Sequence, residues 1–338
     1  MDQPSICTII AAHNARATIA TAVRSALREP EVTEVIVVDD ASSDATADAA
    51  READDGTGRL VVRQLSENRG PAHARNVAIH SSKASYIAIL DADDVFFPGR
   101  FANLLAHEGW DLAADNIVFV PEESAAGLDR LAVPEFMPEP EFVDPVHFID
   151  GNISRRGSHR GEMGFLKPVM KRAFLDAHRL RYDETLRLGE DYALYVRAMA
   201  AGARFMTIKS CGYGAVVRGN SLSGRHRTRD LEALAQSDLD LLRDPNLRPE
   251  FRHALERHER HIRGKYHLRQ FLDVKADAGM RAALAYAAAG PSHLLPIARG
   301  VARDKWAAFS RRLGGANSPH EPATLRFLLD SAPIVDRN

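Results

Sequence analysis

The chain has 338 residues, 45% hydrophobic and 27% charged, with a formal net charge of −2. That composition is globular and the length accommodates a full α/β domain plus an extension. Two cysteines, Cys7 and Cys211, exclude a disulfide framework and fit a reducing compartment. No window approaches 18 uninterrupted apolar residues, so no membrane span is expected.

Strand-like sequence begins by Ser5 with no charged segment and long apolar run before it, so a signal peptide is not expected and a cytoplasmic location is. The near-zero net charge hides an asymmetry. Residues 243–313 hold 15 Lys/Arg against 7 Asp/Glu, whereas residues 1–242 hold 27 against 36. An acidic body therefore carries a basic C-terminal segment.

Residues 5–12 (SICTIIAA) are an apolar, β-branched run and predict a buried strand. After His13 and Asn14, Ile19, Ala22, Val23, Ala26 and Leu27 recur at helical spacing and predict a helix over 18–27. Residues 34–38 (EVIVV) predict a second strand stopped by Asp39 and Asp40, and Ser42, Ser43 and Asp44 supply the start of a helix over 44–53. A third strand is expected over 59–65, a turn over 68–71 (NRGP), a helix over 71–81 and a strand over 86–90. Pro98 then opens a helix over 98–107.

The Pro- and Glu-rich stretch 121–145 reads as an irregular connector, and 165–176 as a strand followed by a helix. A helix with Asp191 at its start covers 188–199, strand-like sequence covers 204–217, and 218–229 is a polar loop. From 230 to about 313 the pattern is helical. The order predicts an α/β class with a mostly parallel sheet flanked by helices over 1–230, and a helical C-terminal region over 231–338.

Open parallel sheets bind ligands beyond the carboxyl ends of their strands. His13, Asp39, Asp40, Asp91, Asp93 and Asp94 all lie just past such ends, within reach of one ligand. Three acids at the end of strand 86–90 repel one another unless a cation or ligand hydroxyls sit among them. Mg²⁺ and Mn²⁺ take such oxygen ligands, Mg²⁺ usually from one or two carboxylates plus substrate phosphates.

These pieces in this order resemble the family 2 glycosyltransferases of the GT-A, Rossmann-like fold, and in particular bacterial exopolysaccharide enzymes of the succinoglycan type. The matching stretches are CTIIAAHNA (7–15), VIVVDDASSDAT (35–46), ENRGPAHARNVAI (67–79), YIAILDADDVFFPGRF (86–101) and GEDYALYVRAMAAGARF (189–205). The resemblance implies transfer of a sugar, with inversion, from a nucleotide-sugar donor, normally a UDP-sugar, to a hydroxyl of a glycan or lipid-linked oligosaccharide in surface polysaccharide assembly. It places Ala11, His13, Asp40 and Arg75 at the nucleotide, with Asp40 accepting the N3–H of uracil. His13 stands where the family usually has a tyrosine lining the base pocket. Asp91 would contact ribose or metal, and Asp93, with Asp94 as the adjacent alternative, would hold a divalent Mg²⁺ or Mn²⁺. Asp191 would be the catalytic base that takes the acceptor proton, with Glu190 as second choice; a helix-capping role is the competing reading of Asp191.

The loop 218–229 is rich in arginine and hydroxyl groups, and Arg218, Ser221, Ser223, Arg225 and His226 are candidates for closing over a diphosphate. His253, His258, His261 and His267 miss the zinc-hydrolase spacing and read as part of a basic helix facing solvent or lipid. The segment 279–313, with Arg299, Arg303, Lys305, Trp306, Phe309, Arg311 and Arg312, fits peripheral contact with an anionic membrane at the inner face, packing on the catalytic domain, or a homodimer interface. Nucleic acid is not an expected partner, because no recognition module is present.

Two rival readings fare less well. A sugar-1-phosphate nucleotidylyltransferase would carry a Gly-rich basic loop where this chain has residues 11–14 (AAHN). A non-catalytic nucleotide-sugar-binding protein would not need Asp40, Asp91, Asp93 and Asp191 together.

Overall fold

Two runs of β-branched residues form the centre of the sheet. In β1 (Ile6–Ala12) and β2 (Val32–Asp39), Ile6, Ile9, Ile10, Val35, Val37 and Val38 are completely buried, as in strands covered on both faces. The computed structural model describes residues 4–122, 131, 133, 139–153, 162–217, 227–300, 302 and 325–329. It divides into two units, Met1–Ser221 with Leu325–Asn338, and Leu222–Thr324.

In the first unit, α1 (Ile19–Leu27), α2 (Thr46–Arg51) and α3 (Pro71–Ser81) connect β1, β2, β3 (Leu60–Gln64) and β4 (Tyr86–Ile89). These four strands lie in the order β3-β2-β1-β4 and are all parallel. Ala12 lies opposite Asp39 and Ile9 opposite Ile89, so the strands end nearly level. His13, Asp40 and Asp91 therefore leave the sheet at one edge, as the sequence pattern requires.

Beyond β4 the sheet becomes mixed rather than continuing parallel. The remaining elements are β5 (Val95–Phe96), α4 (Arg100–Leu105), β6 (Leu112–Pro121), β7 (Pro140–Phe142), α5 (Pro145–Gly151), β8 (Val169–Lys171), α6 (Arg172–Ala177), α7 (Glu190–Ala200) and β9 (Phe205–Val217). Strand β8 runs antiparallel between β4 and β6, with Val169 opposite both Ala88 and Ala113. Strand β9 then pairs parallel to β6 and antiparallel to β5 and β7.

Sequence reading did not foresee β6, whose polar pair Asp115 and Asn116 interrupts its apolar run although both residues are buried. Residues 140–142 of the expected connector likewise form a strand. Within the C-terminal stretch expected to be helical, Arg326 and Phe327 form β10, antiparallel to β6 and opposite Phe119 and Val118.

In the second unit, α8 (Thr228–Leu242) and α9 (Pro249–Ala288) bury Leu231, Leu234 and Ala235, and Phe251, Ala254, Leu255 and Ile262, respectively. Gly279 (φ 83°, ψ 176°) interrupts α9, a conformation open to glycine at little cost. Past this break, Ala283, Ala287 and Ile297 pack with Phe271. Two of the four histidines read as solvent-facing are buried instead. His258 Nδ1 meets Asp238 at 2.6 Å, and His267 Nδ1 meets the Tyr286 hydroxyl at 2.7 Å. Among the described residues no three metal-ligating side chains are grouped to hold an ion.

Candidate active site

The parallel half of the sheet builds one wall largely from backbone. Asp40, 3% exposed, accepts the Arg69 N–H (2.8 Å) on one carboxylate oxygen and the Gly70 N–H (2.7 Å) on the other. It thereby fixes the turn that starts α3, where Gly70 sits at φ 93°. Each oxygen keeps one further lone pair, so Asp40 presents a fixed anionic edge rather than a mobile side chain.

Asp39 is turned the other way, taking the Ser42 N–H (3.0 Å), the Ser42 hydroxyl and the Gln64 amide (3.4 Å). His13 Nδ1 lies 2.9 Å from the Asp40 carbonyl, which can only accept, so this nitrogen carries the proton. Its exposed ring then receives the Asn14 amide on Nε2 at 3.2 Å. Asn14 itself accepts the Ser43 N–H (2.9 Å), stapling the loops after β1 and β2. Ala11 lies inside β1 opposite Val38, half-buried near this edge.

The opposite wall is built from charged side chains. Arg75 on α3 donates to Asp91 (2.8 Å), Glu190 (2.8 Å) and Asp191 (3.2 Å). Lys167, just before β8, reaches Asp191 at 2.7 Å and Asp91 at 2.9 Å. Three carboxylates thus share two cations. The Arg75 guanidinium also lies 5.2 Å from the centre of the Tyr182 ring. Burial disfavours the charged form of Lys167, but the Asp191 and Asp91 carboxylates outweigh it and hold the ammonium above the ordinary lysine range. For Asp91, burial acts upward, while Lys167 and Arg75 bring its carboxyl far below the usual range. Glu190 goes the other way: burial raises it despite Arg75.

Asp191 is the second residue of α7. Gly189 holds the cap position at φ 76°, so the capping role considered for Asp191 falls to a glycine backbone. The loop before α7 is fastened to α3. Asn76 exchanges two hydrogen bonds with the Tyr182 backbone (both 2.9 Å), and Glu184 meets His73 (2.8 Å), Arg69 (3.1 Å) and Asn76 (3.1 Å).

The acid cluster after β4 divides its labour. Asp94, the alternative to Asp93 as metal ligand, is turned into the sheet and 6% exposed. Its oxygens accept the Tyr213 hydroxyl (2.7 Å) and the Val216 N–H (2.9 Å) of β9, and burial, with Asp93 and Asp91 nearby, raises its carboxyl. Asp93 remains half-buried beside Asp91, a third of whose side chain is exposed. Carboxylates of this kind fit a hard divalent cation whose other ligands come from phosphates, so Asp93 with Asp91 would hold it. Arg218, Ser221, Ser223, Arg225 and His226 lie outside the described residues.

Sequence reading missed Lys167 and Tyr213. Lys167 precedes its strand, and a residue before an antiparallel strand reaches the same edge as residues after parallel ones. The short apolar run after Pro168 carries no mark of its direction.

A family model described as Glycosyl transferase family 2 matches residues 7–175. The chain is 53% identical over 332 residues to the succinoglycan biosynthesis protein ExoU of Rhizobium meliloti (strain 1021), covering 97% of this chain and 96% of that one. Among solved structures, S. aureus TarS 1-349 in complex with UDP-GlcNAc superposes with a TM-score of 0.55 at 20% identity, over 81% of this chain and 74% of that one. The mannosyltransferase PcManGT from Pyrobaculum calidifontis, in complex with GDP-Man and Mn²⁺, gives a TM-score of 0.52 at 20% identity, over 91% and 81%. These likenesses show the fold.

Proposed function

Since the chain belongs to glycosyl transferase family 2, we propose that it moves a sugar, with inversion, from a UDP-sugar to a hydroxyl of a glycan or lipid-linked oligosaccharide in succinoglycan-type polysaccharide assembly. The observation that carries this reading is the pairing of Asp91, at the sheet edge, with Asp191, at the start of α7, through the shared cations Arg75 and Lys167. Donor-side and acceptor-side carboxylates are thereby held within one ion network.

In this reading His13 and the Asp40 edge receive the base, and Arg75 and Asp91 lie along the ribose and diphosphate. A divalent cation, Mg²⁺ or Mn²⁺, bound at Asp93 and Asp91 would neutralise charge building on the departing diphosphate. The acceptor hydroxyl gives its proton to a carboxylate oxygen of Asp191, each of which has one cation partner and a lone pair left. Arg75 and Lys167, being protonated, cannot take that proton and act by charge. Glu190 is the second candidate, its carboxyl raised by burial and its side chain paired with the same Arg75.

No helix among the described residues is long and apolar enough to cross a membrane. Exposed Leu284, Leu294 and Leu295, with exposed Arg281 and Arg299 close to them in sequence, support peripheral contact with an anionic bilayer, which would bring a lipid-linked acceptor to the enzyme. Calorimetric titration with UDP and GDP, each with and without Mn²⁺, tests the donor assignment. Binding of UDP over GDP that strengthens with Mn²⁺ is expected; absence of nucleotide binding in every condition contradicts it.

A further inference from the structure

Lys167 has no role in the reading above beyond its charge, yet its backbone is firmly held on its C-terminal side. Pro168 follows it and restricts the preceding residue to extended conformations. Two residues on, Val169 is locked between β4 and β6. The Lys167 carbonyl accepts a hydrogen bond from Arg100, which is itself buried and paired with Asp115 at 3.0 Å. From this anchored start the side chain, 8% exposed, delivers its ammonium between Asp91 Oδ2 (2.9 Å) and Asp191 Oδ2 (2.7 Å). A buried ion pair adds little net stability over well-packed apolar residues, so this expense of desolvation is not explained by folding alone.

We infer that Lys167 is a positioning residue for the transfer reaction: it ties Asp191 to the sheet through Asp91 and fixes the plane of the Asp191 carboxylate. Arg75 holds Asp191 Oδ1 and Lys167 holds Oδ2, so rotation of the carboxylate is stopped at both oxygens. Removal of Lys167 leaves Asp191 one cation partner, Arg75, a group it shares with Glu190 and Asp91. The aim of the base then loosens, while the base pocket at His13 and Asp40 keeps its own contacts and Asp91 keeps its Arg75 partner. This inference rests on Asp191 accepting the acceptor proton.

The test measures UDP release from UDP-glucose, UDP-galactose and UDP-N-acetylglucosamine, alongside UDP affinity. Misplacement of a reacting group by 1 Å costs about 100-fold, so Lys167→Met is expected to lower turnover about 100-fold while UDP affinity stays within about threefold. Lys167→Arg keeps the charge and the fold but replaces a point donor by a planar fork, and is expected to lose about tenfold. In an Asp191→Asn background, Lys167→Met is expected to cost less than about threefold more, because its partner is already disabled. Unchanged turnover in either Lys167 variant, parallel loss of UDP affinity, or fully additive losses would each overturn the inference. A wild-type chain that releases no UDP, or an Asp191→Asn chain that works normally, overturns the underlying reading and this inference with it.

Discussion

The two halves of the sheet build their walls of the site by different means. In the parallel half, Asp40, His13 and Asn14 are held by backbone amides and carbonyls, so this edge is as rigid as the strands beneath it. In the mixed half, Lys167, Arg100, Asp115, Asp94 and Tyr213 are joined by side-chain charge and buried hydroxyl bonds. The first arrangement suits a ligand of constant shape, such as a base. The second gathers ionised groups around one another, and its stability depends on each partner being present.

The comparison predicts that small changes in the mixed half cost the most stability. Gly212→Ala is the most severe, because a Cβ there would lie 2.1 Å from Asp115 Oδ2 and 2.5 Å from Arg100 Cγ, both buried. A loss of about 3 kcal/mol in chemical denaturation is expected; a neutral result would mean that the Arg100–Asp115 pair yields easily. Asp93→Ala comes next, at the rim of the site. It is expected to leave stability nearly unchanged and to weaken Mn²⁺-dependent UDP binding about 100-fold, with Asp94→Asn weakening it far less. Equal effects of the two on binding would return Asp94 to the metal.

Tyr213→Phe removes one partner of the buried Asp94 carboxylate, at an expected cost of about 1–3 kcal/mol by denaturation. The smallest effect belongs to the seam between the loop before α7 and α3 of the parallel half. Burial works upward on Glu184, but Asn76 and His73 bring its carboxyl below the ordinary value. A depressed folded value stabilises above the unfolded carboxyl range and is lost as pH falls through the folded value. Glu184→Gln should therefore cost under about 1 kcal/mol at pH 7, after solvent screening, with the difference from wild type vanishing in acid.

Legibility in the sequence follows the same division. Strands β1 to β4 announce themselves by apolar, β-branched runs ending in His13, Asp40 and Asp91, and the structure finds all three at one edge. The start of α7, with Glu190 and Asp191, was equally legible. Strand direction was not, because periodicity is the same up or down, and Lys167 escaped for that reason; Tyr213 escaped because its partner Asp94 lies 119 residues away in sequence. Asp93 and Asp94 are indistinguishable as neighbours in sequence, and only the pleat and the approach of β9 separate them. Asp115 and Asn116 concealed β6, since a buried polar pair reads as a loop until its partners, Arg100 and the Leu329 backbone, are in place.

The most direct test of the account compares UDP release from UDP-sugars by wild type, Asp191→Asn and Glu190→Gln, with UDP affinity measured for each. A loss of about 1,000-fold in Asp191→Asn at unchanged UDP affinity, with a much smaller loss in Glu190→Gln, is the predicted result. Wild-type rates in Asp191→Asn would contradict it.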